Sequence, residues 1–432
     1  MFNPTYIEQC VLRRKKVFDA IGLHGIAVLF SAPEKQRSGD TSYPFRQDSD
    51  FYYLSGFDEP DAILILDGAT RETILFCRDL DPEREIWEGS RYGIEKAREY
   101  FKIEYTASIG QWQKHVKELL KGHTQLWTLN RYNKEKKLLQ IWHDLYQPYT
   151  AQSLPESCMN LRTILDPMRL IKDEVELDLL RHAAKISAFG HVKAMCTAVP
   201  KQYEYHVEGE ILSEFFRHGI RNCAYNTIVA AGKNACTLHY TNNESVLKSG
   251  QLVLVDAGAE WQNYAGDISR TFPVDNDFTP AQKDIYQVVL DTNKRVISAA
   301  RAGVTYESLN NLSIELLTQG LLDLKLLSGS VHDNIEKQKY KRFYMHSIGH
   351  WLGLDVHDVG GRFEHGQSIV LRENMCMTVE PGLYIPDDPD IPAELRGIGI
   401  RIEDNIIIHQ DEAEVYTDYV PKEIDEIEDI NQ

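Results

Sequence analysis

The chain has 432 residues, 43% of them apolar, and 65 acidic against 47 basic side chains give a net charge of −18. That length and apolar share suit two or three domains with real cores and exclude a mainly disordered chain. The acidic balance excludes a protein built to bind nucleic acid or an anionic membrane, because its surface repels phosphate at long range. Seven cysteines, at positions 10, 77, 158, 196, 223, 236 and 376, form no C-x-x-C pair. Such usage fits a reducing compartment. The N-terminal MFNPTYIEQCVLRRKKVF carries charge ahead of any apolar run of signal-peptide length. The longest apolar stretches, such as Ile26 to Phe30, are strand-sized, so a cytoplasmic protein is expected.

In chain order, short apolar runs at Gly25 to Phe30, Phe51 to Leu54, Ala62 to Leu66 and Thr73 to Cys77 read as strands. Helical stretches such as Ile109 to Lys121 alternate with them, which predicts an α/β N-terminal domain. Lys134 to Lys137 reads as a solvated helix face. At Asp166-Pro167 the chain should leave helix, and Asp173 then opens a long segment with Val175, Leu179, Ala183, Ile186 and Phe189 at helical spacing. The domain boundary falls there. Val207, Ile211 and Phe215 mark another amphipathic helix. Thr279-Pro280-x-Gln282 supplies an N-cap, a first-turn proline and a capping-box partner ahead of Ile285, Val289 and Val296. Strand-like runs at Leu252 to Asp256, Ile268 to Phe272, Met377 to Tyr384 and Ile398 to Ile408 predict an α+β second domain rich in hairpins. The acidic tail, Glu423 to Asp429, is expected to stay solvated.

The chemistry begins in QLVLVDAGAEWQNYAGDISRTFPV. A run apolar on both faces ends in Asp256, and a buried strand does not finish on a bare carboxylate without a reason. Asp256 and Asp267 are symmetric about the gap between Trp261 and Gln262, so a hairpin turning there sets them opposite each other. Facing like charges call for a cation or a shared proton. A turn-capping role for one Asp is the plainer reading of this pair taken alone. A second hairpin repeats the pattern, with Glu380 in TVEPG and Glu403 in IRIED on either side of a Pro- and Asp-rich loop, Pro386 to Pro392. In the strand Ile398 to Ile408, Ile398, Ile400 and Ile402 take one face and leave Arg401 and Glu403 on the other.

The segment MHSIGHWLGLDVHDVG adds His346, His350 and His357, and AAGKNACTLHYT adds His239. An H-x-x-x-H zinc helix lacks its catalytic glutamate here, because Ser347 follows the first histidine. Four carboxylates with at least one imidazole suit two adjacent divalent ions of hard to borderline character. Two such ions, about 3.5 to 4 Å apart, hold a bridging hydroxide and stabilise charge on a substrate oxygen.

With these motifs assembled, the chain resembles the metal-dependent aminopeptidases of the pita-bread fold, most closely the Xaa-Pro aminopeptidase (aminopeptidase P) branch. The match spans essentially the whole chain. SDFYYLSGFDEPDAILIL looks like the creatinase-type N-terminal domain of that family, and NTIVAAGKNACTLHYT, LVDAGAEWQNYAGDISRTFPV, HSIGHWLGLDVHDVG, TVEPGLYI and RGIGIRIEDNI look like its catalytic motifs. The resemblance implies an α/β N-terminal domain over residues 1–168 and an α+β pita-bread catalytic domain over 169–432.

It further implies that Asp256, Asp267, His350, Glu380 and Glu403 hold two divalent ions, manganese being the family's usual choice. His239, His346 and His357 would contact substrate, Glu380 would shuttle a proton, and Tyr384 and Arg401 would line the far side. The implied reaction releases the first residue of a peptide whose second residue is proline, by attack of a metal-bridging hydroxide on the Xaa-Pro carbonyl. A homodimer or homotetramer is expected, and Trp87 resembles a residue that reaches a neighbouring site. Prolidase is the nearest rival; it must recognise a free carboxylate beside proline, for which Arg396 and Arg401 are candidates. Methionine aminopeptidase would not need the N-terminal domain, and creatinase-like chemistry would leave four carboxylates unexplained. A pita-bread domain that only binds peptides is the non-enzymatic alternative.

Overall fold

The computed structural model describes residues 3–129, 131, 133–145 and 154–430. It divides into two compact units at the step from Met168 to Arg169.

The first unit is built on a six-stranded mixed sheet. Gly25–Phe30 lies between Ile63–Asp67, antiparallel, and Gln125–Thr128, parallel. Glu72–Cys77 and Tyr105–Ser108 extend one edge, and Ser157–Asn160 the other. The central strands are apolar on both faces because both are covered, and every residue of Gly25–Phe30 and Ile63–Asp67 is buried. One predicted strand is a helix. Phe51 to Leu54 lies within Ser49–Ser55, where the Asp48 side chain accepts from Phe51 N–H and Gly56 closes the C-terminus in the left-handed conformation. Those caps decide the element, since a short apolar run does not distinguish strand from buried helix. Lys134 of the helix Asn133–Asp144 pairs with Asp61 at 2.7 Å. The helix Arg162–Leu170 runs through Pro167, contrary to the break expected there, with Leu165 and Leu170 both buried along it.

The second unit packs helices against short antiparallel sheets. Glu174–Thr197 opens with a capping box between Asp173 and Glu176, and Pro280–Ala299 with one between Thr279 and Gln282. Glu204–Arg217 and Tyr306–Asp323 complete the long helices. One sheet orders Ile268–Pro273, Leu252–Ala257 and Ile228–Ala231, and a second orders Cys376–Val379, Asp404–Ile408 and Ala413–Val415. A two-stranded ribbon, Gly382–Tyr384 with Gly399–Arg401, continues the line of the second. The two long predicted strands are therefore each broken, at Glu380-Pro381 and at Ile402-Glu403. The acidic tail is not solvated throughout. It forms the helix Ile424–Glu428, with Ile427 only 2% exposed in the main apolar cluster and Glu428 accepting from Phe278 N–H. Among the described residues no helix is long and apolar enough to cross a membrane.

Candidate active site and metal centre

The first hairpin turns at Gln262-Asn263, both with positive φ, which is the backbone of a two-residue type I′ turn. That turn lies one residue beyond the expected midpoint, so the register pairs Asp256 with Ser269 rather than with Asp267. The shift is two residues along the partner strand, and a shift of two preserves the face. Asp256 and Asp267 are thus diagonal neighbours on one face. The Tyr225 hydroxyl lies 2.6 Å from a carboxylate oxygen of each. A phenol has one proton to donate, so it ties the two carboxylates together without neutralising them.

In the second hairpin the ladders on both sides of the break share one register, Val379 with Asp404 and Gly382 with Arg401, which sets Glu380 across from Glu403. The break frees both carboxylates from the pleat. Glu403 N–H donates to Ser269 O at 3.0 Å and its Oε2 accepts from the Ser269 hydroxyl at 2.8 Å, which joins this hairpin to the first.

The histidine segment lies along the strand bearing Glu380. Thr378 N–H donates to His350 O and Glu380 N–H to Ile348 O. Glycine is required between them, because a Cβ on Gly349 would stand 1.9 Å from Thr378 O. His350 Nδ1 is 3.1 Å from Trp351 O, which fixes the tautomer that turns Nε2 toward the carboxylates, 3.3 Å from Asp267 and 3.8 Å from Glu380. Donor atoms of Asp267, His350 and Glu403 lie within 4.8 Å of one another. His357 stacks edge to face on His350 at 4.3 Å, and His346 Nε2 is 2.8 Å from the Tyr384 hydroxyl. Arg401 donates to Asp256 at 2.6 Å, to the Ser269 hydroxyl and to Tyr384.

All but Tyr384 of the predicted site residues line one cavity of ≈ 580 Å³, and Tyr384 backs it through His346 and Arg401. A larger groove of ≈ 980 Å³, which includes Arg396, holds none of them; chemistry rather than size picks out the site. Of the two arginines weighed for a free carboxylate, Arg401 is already spent on Asp256. Arg396 donates to the carbonyls of Ile391 and Pro389, outside the cavity. Tyr225, Ser269, Asn405 and Arg362 belong to the site but did not stand out in the sequence. Asn405 exchanges hydrogen bonds with the backbone of Asp267.

The electrostatics test whether cations fit. Four carboxylates meet in a largely buried space with one guanidinium among them. Burial drives the Glu403 carboxyl well above the usual range, and repulsion from Asp267, Glu380 and Asp256 adds to it. Glu380 is pushed up to about 7, again chiefly by burial, with His350 and Arg401 opposing the shift. Asp256 is raised by burial, against Arg401. Burial works against charge on His350 too, but Asp267 and Glu380 outweigh it and push the imidazole up to about 9. His346, whose Nδ1 is 3.9 Å from Glu380, is lowered by burial to about 4. At the carboxylates negative charge outweighs positive, with only Arg401 and His350 set against four acids, and the oxygen and imidazole donors are those that hard or borderline divalent ions take.

Residues 178–410 match metallopeptidase family M24, and residues 11–127 match the aminopeptidase P N-terminal domain. The fold and site therefore define an N-terminal aminopeptidase P domain followed by a pita-bread metallopeptidase domain. A Xaa-Pro aminopeptidase from Haemophilus influenzae is 44% identical over 98% of this chain and 97% of its own length. One from Escherichia coli is 40% identical over 96% of each. The E. coli aminopeptidase P structure holding the inhibitor Pro-Leu superimposes with a TM-score of 0.95, at 38% identity over 98% of both chains. The chain belongs to the Xaa-Pro aminopeptidases of family M24, and is a metal-dependent hydrolase.

Proposed function

We propose that this site releases the first residue from peptides with proline in second position, using two divalent ions held by Asp256, Asp267, His350, Glu380 and Glu403. The observation that carries this is the convergence of four carboxylates and one imidazole, with Arg401 paired to one of the four. Manganese suits the donor set, as do cobalt, zinc and iron. When bound, such a pair supplies a water acidic enough to act as hydroxide near neutral pH and a Lewis-acid contact for the carbonyl oxygen.

The chain's own residues do the rest. Asp256 is fixed by Arg401 and Tyr225, and His350 by Trp351 O, so the centre is preorganised rather than assembled on binding. His357 and His239 stand on the cavity wall where they can donate to the carbonyl as it gains charge. Glu380 delivers a proton to the departing prolyl nitrogen, which carries no hydrogen of its own before cleavage. His346, locked to Tyr384, walls the proline side.

We assign residues 1–168 as the N-terminal domain and 169–432 as the catalytic domain. Seven free thiols favour the cytoplasm. Ile86 and Trp87, 82% and 88% exposed on the helix Pro82–Glu88, favour a homodimer or homotetramer. The deciding experiment is product analysis of the manganese-loaded protein on a tripeptide Xaa-Pro-Yaa, a dipeptide Xaa-Pro and a proline-free control. Release of Xaa mainly from the tripeptide is expected. Preference for the dipeptide makes the enzyme a prolidase, and silence on all three with metal in place makes it a binding module.

A further inference from the structure

The cavity wall carries two arginines, and their situations differ. Arg401 is buried and paired with Asp256. Arg362 is half-buried, and among the described residues its partners are uncharged: the Ser347 hydroxyl at 2.6 Å, Gly349 O at 3.1 Å and the face of the Tyr306 ring at 5.1 Å. A guanidinium keeps its charge at any physiological pH and offers five N–H donors. Two are used here, so three remain for a ligand.

The contacts that Arg362 does make aim it. Ser347 and Gly349 lie between the two histidines His346 and His350, and Tyr306 donates to the same Gly349 carbonyl at 2.6 Å. The head group is thereby fixed to the loop that walls the proline side of the cavity. The other charged groups on that wall are already satisfied, since Asp358 is paired with Arg169 and Lys172. An unpaired, immobilised guanidinium fork in a partly desolvated cavity is a carboxylate receptor.

We infer that Arg362 captures a carboxylate on the residue that follows the substrate's proline. This rests on the proposed function, in which the peptide extends past proline. The carboxylate is either the C-terminus of a tripeptide or an acidic side chain in a longer peptide. Either source makes a bidentate contact that an uncharged group cannot replace. The enzyme is accordingly a peptidase tuned to short or acidic Xaa-Pro peptides.

The test is the ratio of kcat/KM for a tripeptide Xaa-Pro-Ala as the free acid to that for its C-terminal amide, with the manganese-loaded full chain. A second ratio compares Xaa-Pro-Asp-amide with Xaa-Pro-Asn-amide. Each ratio is internal to one protein preparation, so partial loss of fold or metal scales both rates and cancels. In the unaltered chain at least one ratio should be about tenfold or more, carried mainly by KM, as expected for a charge-assisted contact. In Arg362→Gln that ratio should fall to about one, and Arg362→Lys should restore part of it. A large first ratio assigns the terminal carboxylate and a large second ratio the side chain. Two ratios near one in the unaltered chain, or a preference that survives in Arg362→Gln, would overturn the inference. Failure to cut any of the four peptides would instead sink the proposed function.

Discussion

At the scale of single residues, the site is a problem of charge. The five proposed metal ligands are positioned by groups such as Tyr225, Ser269 and Asn405. Replacing Asp267 by alanine should remove metal and activity together, whereas His357→Ala should cut turnover by about a hundredfold or more while metal content stays intact. Elemental analysis of the two variants checks this, and stoichiometric metal in Asp267→Ala would contradict the ligand set. Tyr225→Phe keeps the ring but loses the hydroxyl that joins Asp256 to Asp267. Metal affinity should fall about 10- to 100-fold. Titration of manganese-dependent activity measures it, and an unchanged midpoint would leave Tyr225 without a role at the centre. The acids and histidines were legible because a buried strand ending in Asp256, and three histidines within twelve residues, are costly unless used. Tyr225 and Arg362 were not, since one tyrosine before a strand and one arginine in a loop have no local signature.

At the scale of elements, parity mattered more than register. The expected hairpin put its turn one residue early, yet Asp256 and Asp267 share a face because the error moved the partner by an even number of residues. The apolar alternation of the second hairpin predicted continuous strands, and the breaks at Glu380-Pro381 and Ile402-Glu403 come from turning two carboxylates out of the pleat. The histidine segment reaches Glu380 only because Gly349 has no side chain. Gly349→Ala should push that segment off Thr378, destabilise the protein by about 1–3 kcal/mol and lower activity further than that loss explains. Thermal melting alongside kcat/KM tests both parts.

The turn after His357 is anchored by Asp358, buried against Arg169 at 2.5 Å and Lys172 at 3.0 Å. Burial alone would raise the Asp358 carboxyl, but the two cations outweigh it and hold it below the usual range. A depressed folded-state pKa gives stability that is fully present above the unfolded value, about 4, and is lost as pH falls through the folded one. Asp358→Asn should cost about 3–5 kcal/mol at neutral pH, because it takes the carboxylate from buried Lys172 and leaves Arg169 to Asp355, and should flatten the acid limb of the stability profile. Melting curves from pH 3 to 7 read both effects; parallel curves for the two proteins would refute the assignment.

At the scale of the molecule, the C-terminal tail is part of the catalytic scaffold. Val420 and Pro421 accept from Arg270, whose guanidinium also donates to Glu403 O at 2.6 Å and pairs with Asp404. Lys422 completes that buried network, and Ile427 anchors the tail in the core. Ile427→Ala should cost about 2–5 kcal/mol by leaving a cavity. If tail and centre are coupled as the contacts indicate, manganese affinity falls with it, and an unchanged affinity in the destabilised variant would separate the two. The charge of Glu423 to Asp429 concealed this role. Charge density argued for solvation, while Ile424 and Ile427 of the helix and Ile430 just beyond it pack on the core.

The sequence alone determined the two-unit organisation, the capped helices, the faces of the strands and the inventory of acids and imidazoles. Those follow from local rules of periodicity, capping and the cost of burying charge. Only the tertiary structure decided which residues pair across the strands, that Phe51 to Leu54 is helical, that the tail is anchored, and that Arg401 is tied to Asp256 while Arg396 lies outside the cavity. Those depend on contacts between residues far apart in the chain, and no local pattern encodes whether a charge, once buried, already has a partner.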